Sequence, residues 1–123
     1  LSSMSPTIVL TPEGKPFLIV GSPGGTKIFT TVAQVIVKAI DYKMSVQDAI
    51  DSPRIWDSHA EKILYENSIP KAEVDKLVAM GHEVTDTAEW SRSLGSVNAV
   101  LYGDDGVLYG GADPRRDGKA LGY

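Results

Sequence analysis

Phe17-Leu18-Ile19-Val20-Gly21-Ser22-Pro23-Gly24-Gly25-Thr26 is the stretch on which the reading of this chain turns. Its four consecutive apolar residues read as a strand buried on both faces. Gly21 to Gly25 then interrupts regular structure. Helical periodicity begins at once and covers residues 26–42. Ile28, Val32, Val35, Ile36, Ala39 and Ile40 recur at helical spacing, and Phe29, Ala33 and Val37 widen that face. Lys27, Thr30, Thr31, Gln34, Lys38 and Asp41 form the opposing polar stripe. A buried strand is therefore expected to pass into a mostly buried helix through a glycine turn. The first turn of a helix leaves backbone N–H groups without acceptors in the helix and carries partial positive charge. Glycines there let an anionic oxygen come close to the backbone. The same residues also serve as a plain tight turn. The run is neither Gly-x-Ser-x-Gly, so Ser22 is a poor candidate nucleophile, nor a P-loop, since no Gly-Lys-Ser/Thr follows.

Outward from this stretch, Thr7-Ile8-Val9-Leu10 reads as a strand, joined to the apolar run as a hairpin by the turn at Pro12-Glu13-Gly14-Lys15. Residues 46–51 read as a short helix with Ser45 as N-cap and Asp48 at the capping-box position. Residues 54–57 and 62–65 read as strands. Residues 70–80 read as a helix, with Pro70 in its first turn, Gly81 just past its end, and Val74, Leu77 and Val78 on one face. Residues 83–85 form a short strand. Residues 97–102 and 107–109 are strands joined by Gly103-Asp104-Asp105-Gly106, a hairpin turn. The tail from Asp113 onward is irregular. Hairpins dominate and the helices do not alternate with strands, so the fold class is α+β, one domain over residues 1–123, with a mainly antiparallel sheet.

Composition narrows the function. The chain has 123 residues, 42% of them apolar, and a net charge of −4. An acidic balance argues against nucleic acid as a partner. The one adjacent basic pair, Arg115-Arg116, sits between Asp113 and Asp117. With no cysteine, disulfides, thiolate chemistry and Cys-ligated zinc are excluded. No apolar run reaches the roughly 18 residues of a membrane helix, and no signal-peptide pattern is present. Because the chain opens on Leu1-Ser2-Ser3 rather than Met, it is expected to come from something longer, whose N-terminal part is where a signal would lie.

Four further stretches hold reactive side chains. The hydroxyls of Ser2-Ser3-Met4-Ser5-Pro6 are donors suited to a carboxylate, although a frayed terminus has the same composition. Asp57-Ser58-His59 invites a triad reading, but on a strand Ser58 points away from its neighbours, which leaves a polar strand end. His82 follows a helix terminus, and two isolated histidines lack zinc-ligand spacing. Asp104-Asp105-Gly106 lacks the later ligands of a calcium loop. Asp113-Pro114-Arg115 is a turn whose arginine suits a carboxylate. Composition alone places it on the surface.

The order and spacing of these stretches add what none carries singly. Ser2-Ser3-Met4-Ser5-Pro6-Thr7-Ile8-Val9, then Gly21-Ser22-Pro23-Gly24-Gly25, then a helix with Thr30-Thr31, resembles the small subunit of γ-glutamyltranspeptidases. Ser45-Val46-Gln47-Asp48-Ala49 with Pro53-Arg54, Tyr109-Gly110, Asp113-Pro114-Arg115 and Gly122-Tyr123 extend the resemblance along the chain, most thinly over residues 55–95. It implies part of a four-layer αββα sandwich of the N-terminal-nucleophile hydrolase type, and the C-terminal part of the small subunit. A self-cleaving precursor would expose a threonine, upstream of this chain, that attacks a γ-glutamyl amide such as that of glutathione. Its own amine would act as base. Carried over by motif, Ser2 and Ser3 hold the substrate α-carboxylate, and Gly24 and Gly25 supply the oxyanion hole. Arg54 and Arg115 are expected to be structural ion-pair partners. The resemblance implies neither cofactor nor metal, and neither a nucleic-acid nor a membrane partner. The implied partners are the γ-glutamyl substrate, the large subunit and the upstream part of the small subunit. Related enzymes with this pattern act on cephalosporin side chains or poly-γ-glutamate. A non-catalytic domain of the same fold is the reading from another class. A bacterial source would place the protein in the periplasm or outside the cell. Alone, the chain is expected to be inactive and to self-associate through Phe29, Val37 and residues 17–20. Gly25→Pro is expected to delete the N–H donor while sparing the helix start.

Overall fold

The computed structural model describes residues 4–57 and 62–122. Strand β1 (Thr7–Leu10) and β2 (Pro16–Gly21) form the expected hairpin. Its turn is closed by Thr11 N–H donating to Lys15 O at 2.7 Å, with Gly14 at φ 81°. A 3-10 turn (Gly25–Lys27) leads into α1 (Ile28–Ile40), followed by α2 (Val46–Asp51). Ser45 caps α2, its Oγ accepting from Asp48 N–H at 3.1 Å. The Asp48 carboxylate returns to the Ser45 hydroxyl at 2.6 Å.

Then come β3 (Ile55–Trp56), β4 (Ile63–Glu66), α3 (Lys71–Ala79) and β5 (Val84–Thr87). Pro70 is the N-cap of α3 rather than part of its first turn. Gly81 at φ 93° ends that helix, its N–H donating to Val78 O and that of His82 to Leu77 O. This is a glycine C-terminal motif, and His82 takes part through its backbone. The chain closes with β6 (Asn98–Tyr102) and β7 (Leu108–Ala112), joined at Gly103–Gly106.

Strands β1-β2-β6-β7 form an antiparallel sheet and β3-β4-β5 a second one. The α+β class holds, with one departure from the expected absence of βαβ units. β4 and β5 pair in parallel, because α3 crosses over between them and returns the chain in the same direction.

Helices α1 and α2 cover one face of the four-stranded sheet. Leu18, Val20 and Ala99 from the strands, Val97 beside them, and Val32, Val35, Ala39, Val46, Ala49 and Ile50 from the helices make the core. The other face is open. Ile8 is 63% exposed, Leu10 54% and Ile19, paired with Ile8, 38%. The β2 run is thus not buried on both faces within this chain. Its residues alternate because only one face has cover here. The helix also differs from expectation. Phe29 is 55% and Val37 44% exposed, whereas Thr31, assigned to the polar stripe, is 2% exposed. Thr31 lies three and four residues from Ile28 and Val35 and so shares their core-facing side. Two residues of the polar stripe, Gln34 and Lys38, form an attachment surface. Gln34 accepts from Ile55 N–H at 3.0 Å and donates to Ile55 O at 2.9 Å, and Lys38 Nζ donates to Pro53 O at 2.8 Å. The helix thereby binds the segment that leads into β3. Among the described residues no helix is long and apolar enough to cross a membrane.

Candidate active site

The register Thr7↔Val20 places the start of β1 beside the end of β2, and Gly21↔Asn98 brings the start of β6 there too. Three chain segments therefore meet at one end of the sheet: residues 4–6, the glycine turn, and residues 94–97. Ser2 and Ser3 lie outside the described residues, as do Ser58 and His59. Gly24 and Gly25 lie at the mouth of α1, with φ of 149° and 60°. Gly24 O accepts from Lys27 N–H at 3.2 Å, and Gly25 O from Ile28 N–H. The carbonyls thus turn into the helix, and the amides of such a start are directed away from its body.

The φ of 60° at Gly25 overturns one expectation. Proline is locked near −65°, so Gly25→Pro distorts the turn as well as removing the N–H. A side chain at Gly25 meets nothing within 4 Å, but an L-residue in that left-handed conformation costs about 1 kcal/mol.

Residues 94–97 form the floor of the turn. A Cβ on Gly24 would lie 3.3 Å from Gly95 Cα. Gly95, at φ 89°, has no room either, since a Cβ there would meet Ser22 Oγ at 2.8 Å and Thr31 Cγ2 at 3.0 Å. Ser22 Oγ accepts from Ser96 N–H at 3.0 Å and donates to Pro23 O at 2.7 Å. Thr31 Oγ1 donates to Leu94 O at 3.1 Å.

Beneath that floor lies a buried charge cluster. Arg54, Asp113, Arg115 and Glu66 are all buried. Arg54 Nη2 meets Asp113 Oδ2 at 2.6 Å, Arg115 Nη1 meets Asp113 Oδ1 at 3.1 Å, and Arg115 Nε donates to Glu66 Oε1 at 2.7 Å. Two cations alternate with two anions. Most of the remaining valences go to the backbone. Arg54 Nη1 donates to Leu94 O at 3.1 Å, Arg115 Nη1 to Ile50 O at 3.0 Å, and Val97 N–H donates to Asp113 Oδ2 at 2.7 Å. Arg54 Nε is the buried side-chain atom without a hydrogen bond among the described residues. Burial by itself would raise the Asp113 carboxyl, but the Arg54 charge and the Val97 and Arg115 amides hold it below the usual range. Burial and the Arg115 charge lower Arg54. For Arg115 burial is outweighed by the Glu66 carboxylate, which raises it.

The Asp113-Pro114-Arg115 turn therefore leaves Pro114 exposed but carries both charged side chains into the interior, which the surface reading does not provide for. A buried arginine is stable only when its charge is paired, and here both arginines are. The ion-pair role expected for Arg54 and Arg115 is what the geometry gives. Glu66 was missed. The only sequence signal for it is an inference of balance, because two buried arginines need a second carboxylate besides Asp113.

Elsewhere, Asp105 closes the β6–β7 turn, accepting from Val107 N–H at 2.9 Å and from the Tyr109 hydroxyl at 2.6 Å. No group of three or more His, Cys, Asp or Glu among the described residues is arranged to hold a metal.

The antiparallel sheet covered by helices gives an α+β fold shared with solved gamma-glutamyltranspeptidase chains, which are N-terminal-nucleophile hydrolases. The gamma-glutamyltranspeptidase family model matches residues 1–123, and the chain belongs to that family. It is 39% identical over 125 residues to the glutathione hydrolase proenzyme of Escherichia coli, covering 100% of this chain and 21% of that protein. It is 38% identical over 120 residues to the Acylase ACY 1 proenzyme of a Pseudomonas species, covering 98% of this chain and 21% of that protein. The crystal structure of the Helicobacter pylori gamma-glutamyltranspeptidase T380A mutant superposes with a TM-score of 0.81 at 43% identity, covering 94% of this chain and 62% of that one. The chain thus spans about a fifth of the length of the curated relatives it matches.

Proposed function

We propose that this chain is the C-terminal part of the small subunit of a γ-glutamyltransferase or glutathione hydrolase, and that it contributes binding and oxyanion groups to a site completed elsewhere. The observation that carries this reading is the Gly24-Gly25 turn, held at positive φ at a helix start, at the sheet end from which residues 4–6 lead back toward Ser2 and Ser3. In the proposed mechanism the upstream threonine attacks the γ-glutamyl carbonyl, its amine taking the hydroxyl proton. Ser2 and Ser3 hold the α-carboxylate. Gly24 and Gly25 N–H groups stabilise the oxygen that becomes negative. The intermediate collapses with cleavage of the amide C–N bond, and the amine leaves carrying the proton that the threonine's amine had taken. Water or an acceptor amine then attacks the acyl-threonine ester and displaces the threonine oxygen, which releases the acyl group. The large subunit and the upstream part of the small subunit supply the nucleophile and the remaining contacts, and they cover the open face of the sheet.

The full-length protein should hydrolyse a γ-glutamyl anilide, and Ser2→Ala and Ser3→Ala should each raise KM, since carboxylate contacts exist in ground and transition states alike. An unchanged KM in both variants contradicts the assignment. The isolated chain should be inactive and should self-associate through Ile8, Leu10 and Ile19 on the open sheet face and through Phe29 and Val37, all of which are exposed. A monomer in light scattering at high concentration would count against that.

A second reading has its own support. The acylase relative is nearly as similar as the glutathione hydrolase one. Turnover of an acyl amide but not of a γ-glutamyl anilide by the full-length protein would select it.

A further inference from the structure

The glycine turn is not free-standing. It rests on residues 94–97, and that segment is fixed from several directions. Leu94 O accepts from both Thr31 Oγ1 and Arg54 Nη1, each at 3.1 Å. Val97 N–H donates to the buried Asp113 carboxylate at 2.7 Å, and Val97 O accepts from Asp113 N–H at 3.0 Å. Between these anchors lie Gly95 and Ser96. Gly95 has no Cβ, and the space a Cβ would take is filled by Ser22 and Thr31. Gly24 lies against its Cα. Ser96 N–H donates to Ser22 Oγ, and Ser22 is two residues before Gly24.

We propose that Ser22 and Gly95 are positioning residues for the Gly24-Gly25 turn: Gly95 is the floor that sets how deep the turn sits, and the Ser22–Ser96 hydrogen bond is the tie that sets its direction. The physical argument has two parts. A turn of two glycines at positive φ has little stiffness of its own, because glycine gives up more conformational freedom than any other residue. Its geometry must then be imposed by neighbours. The floor is held on both sides, since Leu94 and Val97, which flank Gly95 and Ser96, are bonded to the buried Arg54 and Asp113 rather than to solvent. Neither residue touches the reacting atoms. Their effect is on where the amides point. The catalytic half of this inference rests on the proposed role of Gly24 and Gly25; the structural half does not.

Two readouts on the full-length protein separate them. Ser22→Ala should lower kcat about tenfold with KM within about twofold, as expected when a mispointed donor weakens the transition state more than the ground state. Active-site titration should show the same fraction of competent enzyme as wild type. In hydrogen exchange the amides of Ser96, Lys27 and Ile28, which hold or close the turn, should exchange faster in Ser22→Ala, while those of β7 keep their rate. Gly95→Ala should give a larger loss, and Thr31→Val a smaller one that Thr31→Ser restores. If Gly95→Ala does not fold, Ser22→Ala and the Thr31 pair still decide. A Ser22→Ala protein with wild-type kcat and wild-type exchange overturns the proposal. So does a rate loss fully matched by loss of competent sites. A wild-type protein without activity on γ-glutamyl compounds would sink the functional reading instead, and the exchange comparison would still test the positioning.

Discussion

The four-stranded sheet and the three-stranded sheet of this chain are stabilised by different means. On the first, two helices cover one face, and Leu18, Val20, Val35, Ala49 and Ile50 are almost fully removed from water. On the second, Ile63 and Val74 are the buried apolar residues among the described elements β3, β4, α3 and β5, and Val78 and Met80 on or beside α3 stay exposed. What binds the second sheet to the first is polar. Glu66 on β4 reaches Arg115 beyond β7, and Gln34 and Lys38 on α1 hold the backbone at Ile55 and Pro53. One region is held by area removed from water, where the cost of a change grows with the volume lost. The other depends on a few directed charge contacts, where removing one partner leaves a buried charge uncompensated.

The largest expected effect follows from that dependence. Glu66→Ala leaves the buried Arg115 short of two charged hydrogen bonds and should cost about 3–5 kcal/mol, seen as a fall in the urea midpoint. A loss under about 0.5 kcal/mol, within the range of ordinary surface substitutions, would mean that the cluster does not couple the sheets. Next, Ile50→Ala should cost about 3 kcal/mol, as for a fully buried aliphatic residue. Val74→Ala, on the sparsely covered side, should cost about 1 kcal/mol. Equal losses at both sites would erase the distinction between the two regions.

The distinction also marks what could be read from the sequence. Apolar periodicity and turn residues located every strand and helix of the first region in order. They also gave the Ser45 cap, the Gly81 terminus and the turn at Gly103–Gly106, because each is decided within a few residues. Contacts across long separations were not legible. Glu66 and Arg115 are 49 positions apart, and nothing local distinguishes Glu66 from a solvated strand-end carboxylate. Thr31 escapes sequence reading for a related reason: its hydroxyl suggests water, but its partner is Leu94 O, 63 positions away. For the candidate site, Gly24 and Gly25 were visible as glycines, while the 60° φ that forbids proline at Gly25 was not. Gly95 drew no notice at all, because its need for glycine arises from Ser22 and Thr31 in space.

A further expected effect is on pH dependence. Burial, and then the charges of Arg54 and Arg115, lower the Lys38 amine to about 8. The unfolded chain therefore holds that proton more tightly than the folded one. The resulting penalty is fully present below about pH 8, and stability should rise as pH increases from there toward 10.5, the ordinary lysine value. Lys38→Met should flatten that rise in thermal midpoints taken across the window. A wild-type midpoint that falls over the same window by as much as that of Lys38→Met would show that Lys38 carries no such penalty.

The central claim is that the Gly24-Gly25 turn is the oxyanion hole, and it is tested most directly by a distance. In a crystal structure of the full-length protein acylated by a γ-glutamyl inhibitor, the carbonyl-derived oxygen should lie about 2.7–3.1 Å from the backbone nitrogens of Gly24 and Gly25. An oxygen held by other donors, with both glycine nitrogens beyond hydrogen-bonding reach, would contradict the account and leave the turn a structural corner.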